Sequence, residues 1–381
     1  MHRPMMAPAP PLLQLSQVSF DTLPGWTDSD PQAALVGFRR SCGVLAPRPD
    51  SASLGGLYAG TAGEWREACA AAASTNSPRE FFETNFVPYR ISQGSEQGLF
   101  TGYYEPELKG SRTRHDAFLT PLYGVPADLV TIDLGLFRDA LKGQRIEGRV
   151  MGNRVIPYPA RADIVRAGLP QAMTLLYVDD ATDAFFLQIQ GSGRVVLDDG
   201  SVVRALYAGE NGQPYTAVGA VLIQRGELKR EEVSLQTIRA WLRAHPNEAE
   251  ELMNHDASYV FFREQAIGDS SLGAPGAQGV PLSPEASLAV DLSIHALGVP
   301  AFLEATAPDE AGTDRPFDRL LVMQDTGGAI KGAVRGDVYW GYGKRAEEIA
   351  GRMKNQGRLT VLLPKRVAAR LGLRMEFSSS R

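Results

Sequence analysis

The segment that most limits how this chain folds is QDTGGAIKGAVRGDVYWGYG, residues 324–343. An apolar run, RLLVMQ, leads straight into Asp325, and Asp337 follows twelve residues later. A strand–loop–strand of that length returns both carboxylates to one mouth. Gly327, Gly328 and Gly332 permit turns that a β-carbon would block and let a ligand approach main-chain amides closely. A lone aspartate beside glycine is ordinarily a turn residue. This pair, followed at once by Tyr339, Trp340 and Tyr342, reads instead as a carbohydrate cleft, because aromatic faces stack on sugar rings.

The rest of the chain supplies the frame. Asp30-Pro31 predicts a helix start, with Leu35, Phe38 and Cys42 at helical spacing, and Trp65, Cys69 and Ala72 mark a second helix. Ser77-Pro78 opens a third, REFFETNF. From about residue 98 the texture turns strand-like. GLFTGYYEPEL, LLYVDD, AFFLQIQGSGRVVL, DDGSVVRALYAG and AVGAVLI are short apolar runs broken by turns, so residues 115–227 read as all-β, a small barrel or sandwich. Asp199-Gly200 predicts a hairpin. Helix returns after Ser234, with Leu235, Ile238 and Leu242 on one stripe and His245-Pro246 as punctuation. A Gly/Pro-rich loop covers 273–285, and AVDLSI, AFLEAT, RLLVMQ, DVYWG and RLTVLLP read as strands. One more helix carries Ala346, Ile349 and Met353, with Gly357 as its stop. The expected fold class is mainly β with helices, a domain formed by 1–108 and 228–381 into which a second β domain, 109–227, is inserted.

Charge and composition exclude several functions. The net charge is −5 with no basic tract, which excludes nucleic acid as the main partner, since phosphate neutralisation needs a clustered cationic face. No apolar run reaches the roughly 20 residues that span a bilayer. The opening, MHRPMMAPAPPLLQLSQVSF, places prolines where an export signal needs a continuous apolar core, and no lipobox cysteine stands near it. The sequence is therefore read as a mature chain with an added Met. Cys42 and Cys69, both on predicted helices, fit either two separate buried thiols or one disulfide, and a disulfide would imply an oxidising compartment. Five scattered histidines offer no metal-ligand spacing, GSG at 191–193 lacks a dinucleotide context, and no G-x-S-x-G anchors a hydrolase triad. DTG at 325–327 is the motif of aspartic proteases, but no second copy supplies their partner aspartate.

RLLVMQDTGGAIKGAVRGDVYWGYG resembles the three-aspartate domain of the membrane-bound lytic transglycosylase A family. FTGYYEP (100–106), FLQIQGSGRV (186–195), SYVFFR (258–263) and SLAVD (287–291) occur in the order of that family's landmarks. The extra residues in NHDASYVFF depart from its pattern. The resemblance implies a double-psi β-barrel with a smaller β-barrel domain inserted, and a glycan groove between them. It implies cleavage of peptidoglycan at the MurNAc–GlcNAc β-1,4 bond, leaving 1,6-anhydro-MurNAc, without cofactor or metal. Asp337 takes the catalytic position, with Asp325 beside it. Thr101, Gly102, Tyr103, Tyr104, Gln190 and Ser192 match groove positions, and Gln324, Gly328, Ala329 and Tyr339 are further expected substrate-binding residues. Asp291 is the third aspartate, in a structural role. The implied setting is a periplasmic, outer-membrane-associated monomer working on glycan strands, with cell-wall synthesis or division proteins as further partners.

The chemistry explains how one carboxylate suffices. Ordinary glycosidases need two, one to protonate the leaving oxygen and one for the opposite face. Here the sugar's own C6 hydroxyl closes onto C1, and a tethered nucleophile supplies about 7–11 kcal/mol of the barrier. Asp337 would protonate the bridging oxygen and then take the C6-hydroxyl proton. Burial and the nearby Asp325 would hold its proton on to higher pH. An inverting glycoside hydrolase and a non-catalytic, expansin-like glycan binder are the alternatives.

Overall fold

The structure is a computed structural model that describes residues 12–269 and 271–378; the proline-rich start at 1–11 lies outside the described residues. It is mainly β with helices and divides into two compact units. The first comprises the described parts of Met1–Tyr103, Pro275–Gly341 and Glu348–Arg381, and the second Tyr104–Ala274 and Tyr342–Glu347.

In the first unit six strands close into a barrel. Around the ring run Lys354–Pro364, Pro300–Pro308, Asp314–Asp325, Ser287–Ala289, Gly336–Tyr342 and Gly98–Glu105, and the last returns to pair with Lys354–Pro364. Closure needs a long strand that serves several neighbours. Lys354–Gly357 pairs with Gly98–Thr101, while Gly357–Val361 pairs with Ala301–Ala305. Gly357, expected to stop a helix, lies inside this strand; the helix before it ends at Ala350. Gln32–Leu45, Ala62–Ser74 and Pro78–Asn85 form the predicted helices, and Phe38, Trp65, Phe81, Phe82 and Phe86 pack ring against ring among them. Each such buried side chain contributes about 1.5–3 kcal/mol. A disulfide joins Cys42 to Cys69, so the two cysteines are bonded rather than free.

The second unit holds another closed six-strand barrel, in the order Val260–Ala266, Val202–Glu210, Ser192–Leu197, Glu107–Ser111, Thr174–Val178 and Thr120–Tyr123. A bridge between Gly124 and Phe262 closes it. Leu108, Leu122, Leu176, Val178, Leu187 and Val195 fill its core. The Asp199-Gly200 turn is where the sequence placed it, with Gly200 at φ 83°.

Two stretches read as strands are helices. Ala181–Gln190 contains the FFLQIQ run, and Val218–Gln224 covers AVGAVLI. Both are short apolar runs, for which periodicity does not separate a strand from a buried helix. Asp180 decides the first by accepting hydrogen bonds from the Thr182 and Asp183 amides. The boundary expected at 227/228 falls inside this unit. Leu235–Ala244 and Pro246–Asn254 bring Trp241, Leu242, Leu252 and Met253 against Phe185, Phe186 and Leu222, and Val260–Ala266 is a barrel strand.

Candidate active site

Strand register brings the two aspartates together. Ala289 pairs with Asp325 on the parallel side and with Asp337 on the antiparallel side. Residues level with one another across a sheet point to the same face, so both carboxylates flank a methyl group two strand spacings apart, about 10 Å. Ala289 belongs to the SLAVD stretch.

The alternation of the Gly98–Glu105 strand supplies the partners. Thr101 and Tyr103 share a face: the Thr101 hydroxyl donates to Asp337 Oδ1 at 2.8 Å, and the Tyr103 hydroxyl donates to Asp325 Oδ2 at 2.8 Å. Gly102 points the other way. A β-carbon there would lie 2.7 Å from the Trp340 ring, so its glycine serves close packing of the strand. Tyr103 packs against Tyr339 in a tilted pair, ring centroids 5.3 Å apart.

The environments of the two carboxylates differ. Asp337 is half-buried, and that burial pushes its pKa up to about 6; the Arg335 guanidinium and the Thr101 hydrogen bond pull it down, and Asp325 pushes it up. Asp325 is also raised by burial, against the Tyr103 hydroxyl and the Ala277 amide, which donates to Oδ1 at 2.9 Å. Both oxygens of Asp325 are thus engaged. Burial raises the Tyr103 phenol well above its usual range, and the Asp325 charge adds to it.

Asp291 stands behind the loop that links the two strands. Its Oδ2 accepts the Gly332 amide at 2.8 Å, and Oδ1 accepts the Ser293 amide and hydroxyl at 3.0 and 2.7 Å. Burial works against its charge, but these donors hold its pKa below the usual range. Gly332 has φ +108°, a backbone state that side chains disfavour, so the anchored turn needs glycine there. Gly328 and Ala329 lie on the exposed part of the same loop.

Three expected sugar contacts are corrected. Gln324 is fully buried, its Oε1 accepting from Ser287 Oγ at 2.7 Å and its Nε2 donating to Gly37 O and Ser41 Oγ at 2.9 and 3.0 Å. It neighbours Asp325 on a strand, and alternation sends it to the opposite face. Tyr339 is buried beneath Tyr103, and Trp340 is buried with its indole N–H on Met353 Sδ at 3.3 Å. Neither offers a ring face to a ligand; of the three aromatics only Tyr342 is exposed.

Tyr104, Gln190 and Ser192 belong to the second unit. The Tyr104 amide donates to Gln190 Oε1 at 3.1 Å, and the Tyr104 ring is buried. Gln190 ends its helix, Gly191 caps it at φ 81°, and Ser192 opens the next strand. A cavity of about 530 Å³ in this unit, floored by Arg161 and Gln188, contains none of the expected site residues.

Sequence reasoning missed Arg335 and Ala277. Arg335 Nη2 donates to Thr101 Oγ1 at 2.9 Å, and its Nη1 donates to the Gly336 carbonyl. The signal was the R-x-D spacing, which sets a cation just before the strand that carries Asp337. Ala277 contributes only a backbone amide, which no residue type announces. Among the described residues, no group of three or more His, Cys, Asp or Glu side chains is placed to hold a metal ion.

Residues 99–263 match the MltA specific insert domain and residues 286–363 the 3D domain. Over 267 residues the chain is 36% identical to membrane-bound lytic murein transglycosylase A of Escherichia coli K12, a match that covers 69% of this chain and 65% of that protein. The crystal structure of a membrane-bound lytic murein transglycosylase from Agrobacterium tumefaciens superposes with a TM-score of 0.82 at 36% identity, covering 94% of this chain and 99% of that one. E. coli MltA with bound chitohexaose gives a TM-score of 0.70 at 27% identity, covering 92% and 94%. By sequence and by fold, the chain belongs to the membrane-bound lytic murein transglycosylase A family.

Proposed function

We propose that this chain is a peptidoglycan lytic transglycosylase. It would cleave the β-1,4 bond between MurNAc and GlcNAc and leave a 1,6-anhydro-MurNAc end. The observation that carries the reading is the asymmetry of the two carboxylates. Asp337, half-buried with its pKa pushed up to about 6, keeps its proton to higher pH than a solvated aspartate and so can protonate the bridging oxygen. Asp325 has one oxygen on Tyr103 and the other on Ala277, so it is poorly placed as the second acid or nucleophile of an ordinary glycosidase. One free acid suits a reaction in which the sugar supplies its own nucleophile. Asp337 would then act twice, as acid toward the departing GlcNAc oxygen and as base toward the C6 hydroxyl. Chitohexaose bound to the E. coli relative supports a β-1,4-linked amino-sugar strand as the ligand.

Location follows from chemistry and kinship. A disulfide persists in oxidising compartments, and the relatives are described as membrane-bound, which together support a periplasmic place at the cell envelope. No helix among the described residues is long and apolar enough to cross a membrane.

The test is digestion of purified sacculi followed by product masses. Anhydro ends, lighter by one water than reducing ends, are expected. Hydrated ends alone would establish the hydrolase alternative, and binding without fragments the expansin-like one.

A further inference from the structure

Thr101 Oγ1 sits between a cation and an acid. Arg335 Nη2 reaches it at 2.9 Å, and Asp337 Oδ1 lies 2.8 Å away on its other side. A guanidinium only donates, so at this contact the hydroxyl oxygen is the acceptor. The hydroxyl has one proton left, and Asp337 Oδ1 is its hydrogen-bond acceptor among the described residues. The second Arg335 bond, from Nη1 to the Gly336 carbonyl, fixes the guanidinium on the strand that carries Asp337.

We propose that Arg335, acting through Thr101, decides which oxygen of Asp337 carries the catalytic proton. With the threonine proton directed at Oδ1, that oxygen accepts, and the carboxylic acid holds its own proton on Oδ2. A proton on Oδ1 would leave the threonine hydroxyl without its acceptor. That unmade bond biases the acid toward Oδ2 on the order of tenfold or more. Oδ2 is the oxygen that Thr101 does not cover, and it is the one that would face the glycosidic oxygen. After transfer the same cation steadies the carboxylate, so it returns as a base of controlled strength. Arg335 is therefore a positioning residue.

The other groups facing Asp337 are few. Asp325 lies across Ala289, its charge shared with the Tyr103 hydroxyl and the Ala277 amide, and the Tyr339 ring is buried beside Tyr103. Burial depresses the Arg335 guanidinium, and the Asp337 charge raises it.

The proposal rests on Asp337 as the acid, and its test separates the two claims. The carboxyl of Asp337 is titrated by carbon NMR in the substrate-free chain labelled at aspartate, for wild type, Arg335→Met, Arg335→Lys, Thr101→Val and Thr101→Ser. Arg335→Met should raise the Asp337 midpoint by about one unit, and Arg335→Lys should largely restore it. On sacculi, the high-pH limb of kcat should move by the same amount. Thr101→Val should lower kcat on the order of tenfold, with Thr101→Ser active. Adding Arg335→Met to Thr101→Val should cost little more, since both cut one relay. An unmoved midpoint, or losses that multiply in the double variant, would overturn the relay. Hydrated products from the wild type would overturn the transglycosylase reading and leave the titration to judge the relay alone. Melting curves of Arg335→Met and Thr101→Val matching wild type exclude misfolding as the cause.

Discussion

Each unit carries an acidic residue on or beside the Gly98–Glu105 strand, and the two are handled in opposite ways. In the second unit Glu105 is completely buried and neutralised: Arg204 bonds it through Nε and Nη2, and Arg194 Nε stands 3.6 Å away. Both arginines also donate to the Leu272 carbonyl. In the first unit Asp337 is half-buried and accepts the Thr101 hydroxyl, with the Arg335 cation behind that hydroxyl. A buried charge must be paired to be tolerated. A catalytic acid must keep one oxygen free and its proton available, so full pairing would silence it. Under the proposed function, the same residue class would serve as scaffold in one unit and as chemistry in the other, according to what surrounds it.

The comparison can be broken most sharply at Asp337. Asp337→Asn should lower turnover by roughly 10³-fold or more while glycan binding survives, read from product release and from binding to peptide-free strands. Loss of binding with the rate would make Asp337 a binding residue instead. Glu105→Gln leaves two buried arginines short of their counter-charge and should cost about 3–5 kcal/mol in denaturant unfolding. A loss below 1 kcal/mol would mean that the pair is not the scaffold element described here.

Two smaller effects sharpen the contrast. The Cys42–Cys69 bridge has a sequence separation of 27, and for a loop of that size replacing both residues by serine should cost about 3–4 kcal/mol under oxidising conditions, with no difference from reduced wild type. The smallest effect concerns pH. Asp337 has its folded pKa raised from 3.8 to about 6, so its ionisation opposes folding: the stability it allows is full below pH 3.8 and declines as pH rises through 6. Because the group is half-buried, Asp337→Asn should gain only about 1–2 kcal/mol at pH 8 and nothing at pH 3, measured by thermal melts. An equal gain at both pH values would show that the cause is not ionisation. In the wild type the acid step should weaken roughly tenfold per unit above pH 6.

Sequence made the chemistry legible where residue type and spacing carry it. Asp325 and Asp337 stand out because two carboxylates in a glycine-rich strand–loop–strand are unusual, and Thr101 and Tyr103 because FTGYYEP is a distinctive motif; the structure brings the four together. The errors share one cause. Gln324 adjoins Asp325 and Tyr339 follows Asp337 by two, yet one faces helix Gln32–Leu45 and the other is buried against Tyr103. Adjacent positions on a strand point opposite ways, and which face is open depends on what packs there. FFLQIQ became a helix because Asp180 caps it and a second layer of helices covers its apolar side.

What the sequence determined by itself was the inventory: a β-rich chain with helices, two candidate carboxylates, and two cysteines on neighbouring helices. Tertiary structure decided the rest. It placed Asp325 and Asp337 on either side of Ala289, occupied one carboxylate with a phenol and a backbone amide, and put Arg335 behind the hydroxyl of the other. Those choices depend on register between strands distant in sequence and on main-chain donors, and neither is written in the identity of any one residue.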